Sequence, residues 1–159
     1  WTNQSLTLYH GTLDIYMQSI LSGVDVNRGR TYTDFGRGFY TTTVERQART
    51  WALQLSQQKR ATHPAVIRFD VERDALAQLD CLCFVRGSFD FDEFWSFVFH
   101  CRMKGGNHAR ATNQGWYDVV IGPVTASWRQ RLTIYDIDQV SFHTHRAANL
   151  LNKSPRKKV

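Results

Sequence analysis

An α+β domain is what this sequence predicts, and three observations carry the reading. Strand-like runs and helical stretches interleave through the first two thirds of the chain. The last third is mostly short strands and loops, which argues against a doubly wound parallel sheet. No Pro-, Gly- or Ser-rich linker interrupts the chain, so residues 1–152 are expected to form one domain, followed by a basic flexible tail at 153–159.

Each element has its own signal. Residues 5–10 alternate around Leu6 and Leu8 and read as a strand. Residues 13–21 form a short helical stretch closed by Gly23. Residues 24–38 hold Asn27, Gly29, Asp34, Gly36 and Gly38, a long polar loop of the kind that often carries function. Asp34 lies in a turn, where Asp commonly bonds its own backbone. Residues 39–42 turn back into a strand. Thr42-x-x-Glu45 reads as a capping box opening a helix to about Lys59, with Val44, Ala48, Trp51 and Leu55 on its buried face.

Residues 65–70 are a half-buried strand. Phe91, Phe94, Trp95, Val98 and Cys101 fit a helix with an aromatic face. Residues 104–115, with Asn107 and His108, form a Gly-rich loop suited to target binding. Residues 117–121 are a strand stopped by Gly122-Pro123. Residues 132–135 and 139–144 are two further strands, and a helix spans 147–151.

Composition excludes several classes. The chain has 159 residues, 42% of them hydrophobic, enough to bury a core without disulfides or metals. No apolar run approaches ~18 residues, so no membrane span is expected. Net charge is +6, but four cations fall in residues 153–159, which leaves +2 on the rest. The three cysteines lack zinc-motif spacing and read as reduced, mostly buried thiols. No metal is expected. There is no P-loop, no G-x-S-x-G and no H-E-x-x-H, and Gly36-Arg37-Gly38 lacks the third Gly of a dinucleotide fingerprint.

Two motifs in combination are informative. Tyr9-His10-Gly11-Thr12 ends the first strand, and Phe35-Gly36-Arg37-Gly38-Phe39-Tyr40 opens the second. Together they resemble the ADP-ribosyltransferase superfamily, in its diphtheria-toxin and poly(ADP-ribose) polymerase branch, whose motif triad is His, Tyr and Glu. Trp51 falls where that branch places a second aromatic, with ten residues between it and Tyr40. The run from Asp138 to Thr144 resembles the third motif, with Gln139 in the Glu position. The wider pattern is also similar to an uncharacterised bacterial domain family found in toxins.

The resemblance implies a fold of two small mixed or antiparallel sheets forming an NAD cleft between flanking helices. It implies His10, Tyr40 and Gln139 as catalytic residues. His10, Gly11, Thr12, Tyr40, Trp51 and Gln139 would bind NAD+ as co-substrate. Breaking the nicotinamide–ribose bond builds positive charge on the ribose, as in glycoside hydrolysis. Two aromatic rings favour a flat cationic ring by about 0.5–2 kcal/mol. The departure is Gln139: a Glu carboxylate at ~4 Å would be worth about 4 kcal/mol at an effective dielectric of ~20, and Gln offers only a dipole. Single ADP-ribose transfer is therefore expected over chain growth, with Asp34, Asp136 or Asp138 as candidates to supply the charge. Arg30 and Arg37 flank the cleft and could meet the diphosphate.

The function expected is mono-ADP-ribosyl transfer to a macromolecular acceptor, a protein or RNA. The start at Trp1, the size and the resemblance suggest the toxin domain of a secreted bacterial effector, a monomer acting in the target-cell cytoplasm and met by a cognate immunity protein. The alternatives are a non-catalytic NAD-binding pseudoenzyme and a small basic RNA-binding domain.

Overall fold

The computed structural model describes residues 4–87, 91–105, 108 and 116–159. Most of the expected Gly-rich loop, Asn107 included, lies outside the described residues. The chain is α+β, as its sequence predicts. The order is β1 (Leu6–Leu13), α1 (Asp14–Ser22), β2 (Phe39–Thr41), α2 (Glu45–Gln58), β3 (Pro64–Val71), α3 (Arg73–Leu76), β4 (Cys81–Cys83), α4 (Phe91–Lys104), β5 (Val119–Ser127), β6 (Leu132–Phe142), α5 (His145–Lys153) and β7 (Arg156–Lys158). A single 3-10 turn, Val26–Arg28, sits between α1 and β2.

The strands make two sheets. One is antiparallel, in the order β1-β3-β7. The other is mixed, in the order β2-β6-β5-β4, with β4 parallel to β5. Period-2 alternation gives each sheet two faces. Leu8, Ile67 and Phe69 of the first sheet join Phe39, Val140 and Phe142 of the second in the main core, closed by Ala147 and Leu151 of α5. The Phe39 and Phe69 rings meet edge to face at 5.8 Å, tying the sheets together. Each such fully buried side chain contributes about 1.5–3 kcal/mol. Phe94, Trp95 and Val98 of α4 pack with Phe35 and Val120 over the other face of the second sheet. Ala48 and Ala52 of α2 pack on Val66 behind the first.

Several expectations are corrected. Residues 153–159 are not a free tail: β7 adds to β3, and Arg156 donates to Leu21 O, Leu151 O and Asn152 O. A forked cation there satisfies carbonyls at the ends of two helices, α1 and α5, which binds the segment down. Thr42-x-x-Glu45 is not a capping box. Thr42 instead donates to Asp138 Oδ1, and Asp138 accepts the Thr43 N–H, so the strand partner holds the start of α2. The buried residues of α2 are Ala48 and Ala52, whereas Trp51 is 48% exposed, because small residues let the helix approach β1.

Gly122-Pro123 does not stop β5, because Gln139 and Asp138 of β6 pair across it. β6 runs unbroken to Phe142, and its register against β5 slips beyond Pro123, where Asp136 takes φ 57°. That bulge is why residues 132–135 and 139–144 look like separate strands in sequence. Cys81 and Cys83 are exposed on β4, and only Cys101 is buried.

Candidate functional site

The two sheets meet at one point and then part. Tyr9 of β1 and Thr42, just after β2, exchange backbone hydrogen bonds of 2.8 and 2.9 Å. Backbone polar groups alternate sides along a strand. Tyr9 therefore directs its N–H and C=O away from β3, and so does Gly11 two residues on. Thr42 and Tyr40 likewise direct theirs away from β6. Gly11 thus forms one lip of an opening and Tyr40 the other.

His10 spans the lips. Its Nδ1 donates to the Tyr40 carbonyl at 2.6 Å, and its ring stacks on Phe39 with centroids 4.2 Å apart. A carbonyl only accepts, so Nδ1 carries the proton and Nε2 is left as an acceptor. Burial lowers the imidazole to about 4, against an opposing pull from the Tyr40 bond, so His10 is neutral at physiological pH.

Tyr40 is fixed at both ends. Its hydroxyl donates to Gly36 O at 2.7 Å, accepts the Phe35 N–H at 3.1 Å and lies 2.8 Å from Thr33 Oγ1. Gly36 turns at φ 82°, in the left-handed region glycine favours, which brings this turn round to the phenol. Burial raises the Tyr40 pKa, so the hydroxyl stays protonated. Behind the ring, His143 presents its edge at 6.1 Å. His143 Nδ1 donates to Arg37 O, and Ser141 Oγ lies 2.8 Å from its Nε2. Burial and the neighbouring His108 push His143 down to about 3. Ser141 is fully buried, so this Ser–His pair backs Tyr40 rather than meeting solvent.

Tyr40 pairs with Ser141 in register, which puts the side chain of Gln139 on the Tyr40 face as its diagonal neighbour. Gln139 is 7% exposed and donates through Nε2 to Asp34 Oδ2 at 2.9 Å and to Pro123 O at 2.8 Å. Its Oε1 has no hydrogen bond among the described residues. Asp34 is the hub of this wall. It is 3% exposed and accepts from Arg102 Nε and Nη2, from Thr125 N and from Thr125 Oγ1. The turn Asp therefore joins three distant elements instead of bonding its own backbone.

His10, Tyr40 and Gln139 are brought together at the junction of β1, β2 and β6. Thr12 is 5% exposed on the His10 face of β1, and its hydroxyl has no partner among the described residues. Gly11 has a second role: a Cβ there would lie 2.1 Å from Ala48 O, so glycine is what lets α2 pack on β1. Gln47 of α2 donates to Asp138 O at 2.8 Å, beside Gln139, and Trp51 follows one turn later on the same helix face. The Trp51 and Tyr40 rings are not in contact.

Of the acids weighed for the missing charge, Asp138 is occupied at the start of α2, Asp136 is exposed in the bulge, and Asp34 touches Gln139 directly. Sequence alternation puts His143 on the same strand face as Gln139 and Ser141, as observed, but gives neither Arg102 nor Thr125, whose partner Asp34 lies 68 and 91 residues away, beyond any local spacing.

A family described as a protein of unknown function (DUF3990) matches residues 6–137, a span that holds His10, Asp34, Tyr40 and Trp51 and stops just short of Gln139. No curated protein matches the chain, and no solved structure does. With that match over most of its length, the chain belongs to the DUF3990 family.

Proposed function

We propose that this domain is a mono-ADP-ribosyltransferase that uses NAD+ and modifies a macromolecular acceptor, a protein or RNA. The observation that carries the reading is the parting of β1 from β2. It leaves the backbone N–H and C=O of Gly11 turned away from β3, beside an imidazole acceptor (His10) bonded to the Tyr40 carbonyl, with the Tyr40 ring held through its hydroxyl and the Gln139 amide next to it on β6, which supports the reading. When bound, NAD+ supplies the electrophilic ribose carbon and nicotinamide as the leaving group.

The residues fit that ligand by chemistry. A carboxamide has one acceptor and one donor, the complement of the outward N–H and C=O of Gly11. Tyr40 cannot swing, because its hydroxyl is tied to the 33–36 turn, so its ring is preorganised for stacking. Trp51, about half exposed, supplies a second ring. His10 Nε2 and Gln139 Oε1 both accept, and sugar hydroxyls donate. Neither group acts as a strong base, which suits transfer to an acceptor that is already nucleophilic.

The test incubates the domain with labelled NAD+ and either cell lysate or purified RNA. Label on a macromolecule, together with nicotinamide release, is the expected result. Tyr40→Ala and Gln139→Ala should each lower transfer by about 10²-fold, as loss of one oriented transition-state contact does. Bound but intact NAD+ with every acceptor would favour the pseudoenzyme reading instead. No binding and no release would end both.

A further inference from the structure

We propose that Asp34 is a positioning residue for Gln139: its carboxylate pins the amide so that Oε1, and only Oε1, faces the ligand. The chemical identity of that ligand rests on the reading above; the clamp itself does not.

The orientation of an amide is usually ambiguous, but here it is not. Asp34 Oδ2 and Pro123 O are both acceptors, at 2.9 and 2.8 Å from Nε2. A flipped amide would set its oxygen against a carboxylate and a carbonyl. Asp34 cannot turn away to relieve this. Arg102 of α4 holds Oδ1 through Nε and Nη2, Thr125 of β5 holds Oδ1 through its hydroxyl, and the Thr125 N–H holds Oδ2. Arg102 is itself oriented by Tyr32 O.

Two consequences follow. Donation from an amide N–H to a carboxylate polarises the amide and enriches its oxygen in electron density. The pair thus delivers part of what a carboxylate would, with the formal charge kept one residue back and balanced by Arg102. The outward group is also a one-way acceptor, so the site selects a hydroxyl donor, in the proposed reading a hydroxyl of the ribose next to nicotinamide.

Restoring the acid by Gln139→Glu should not improve the site. It would face a new carboxylate with Asp34 Oδ2 and Pro123 O and remove both donors. The experiment compares thermal unfolding of the wild type, Gln139→Glu, Gln139→Met, Asp34→Asn and the double variant Asp34→Asn/Gln139→Glu at pH 7.5.

The isosteric Glu variant is expected to be less stable than the Met variant, even to the point of not folding while Met folds. The double variant should recover part of the deficit of Gln139→Glu, since one of the two facing charges is gone and an Asn amide donates to the new carboxylate, while its NH2 then opposes the Thr125 N–H. The deficit of Gln139→Glu against wild type should also shrink on acidification, because Asp34 raises the pKa of the introduced acid and its neutral form restores a donor. Gln139→Glu as stable as wild type, or more stable than Gln139→Met, would overturn the clamp.

Nicotinamide release from labelled NAD+ is the second readout. If the wild type is active, Asp34→Asn should lower kcat at least tenfold with a smaller change in KM. Unchanged kcat in a folded Asp34→Asn would overturn the positioning role. A wild type that releases no nicotinamide while the stability order holds would remove the transferase reading and leave the clamp.

Discussion

The two walls of the opening are built differently. On the wall formed by β1 and β2, polar atoms are held by backbone and left half-used: His10 spends Nδ1 on Tyr40 O and keeps Nε2, and Gly11 turns its amide outward. On the wall formed by the 33–36 turn, β5 and β6, charge is buried and fully spent: five donor contacts converge on the Asp34 carboxylate. Rigidity on the first wall comes from strand geometry. On the second it comes from electrostatics in a poorly solvated place, where a pair is worth little in net terms but a broken pair is costly. The first wall should therefore tolerate side-chain changes that the second does not.

Asp34→Ala tests that contrast hardest. It removes the shared partner of the Arg102 guanidinium, the Thr125 N–H and the Gln139 amide, and should cost about 3–5 kcal/mol. Denaturant unfolding of the purified variant measures it, and a loss below about 1 kcal/mol would show that the second wall is no more charge-dependent than the first.

Gly11→Ala breaks the first wall where it is least forgiving. Its Cβ would sit 2.1 Å from Ala48 O, so α2 must move, at a cost of about 2–3 kcal/mol. Gly23→Ala is the control, since its nearest atom is 3.9 Å away. Similar unfolding midpoints for the two variants would contradict the close approach of helix and strand.

Acid should separate the walls by titration. His10 and His143 are held near 4 and 3, below the ordinary histidine value, chiefly by burial. The unfolded chain therefore takes up protons first. Stability is unaffected by these groups above about pH 6.5, then falls as pH drops toward the folded values, by up to about 3 kcal/mol for His10 and up to about 5 kcal/mol for His143. His10→Gln should flatten the decline in melting temperature between pH 6.5 and 4 relative to wild type. Parallel curves would mean that His10 is not kept neutral by its surroundings.

What the sequence disclosed divides along the same line. The first wall was legible because its parts are contiguous: Tyr9 to Thr12 on one strand and Phe35 to Tyr40 on the approach to another. Strand alternation and the aromatic face of α4 were legible for the same reason. The clamp on Gln139 was not: Asp34 stood only as one of three acids that could supply charge there, because it lies 105 residues from Gln139 and no local spacing singles out that pairing. The tail misled through composition. Four cations suggest a solvated end, yet one of them, Arg156, finds helix carbonyls that no local pattern reveals.

Trp51 offers the smallest structural effect and so the cleanest functional one. Its side chain is about half exposed, and the packing of α2 rests on Ala48 and Ala52. Trp51→Ala should change stability by less than about 0.5 kcal/mol. If the ring is the second plate for a flat cation, the same variant should weaken NAD+ binding by about 0.5–2 kcal/mol, or roughly 2- to 30-fold in Kd. Calorimetric titration of the folded variant against wild type reads that difference directly. Equal affinities would remove Trp51 from the site and leave Tyr40 as its one stacking surface. A loss in affinity without a loss in stability would show that this ring is placed for a ligand, because nothing in the fold depends on it.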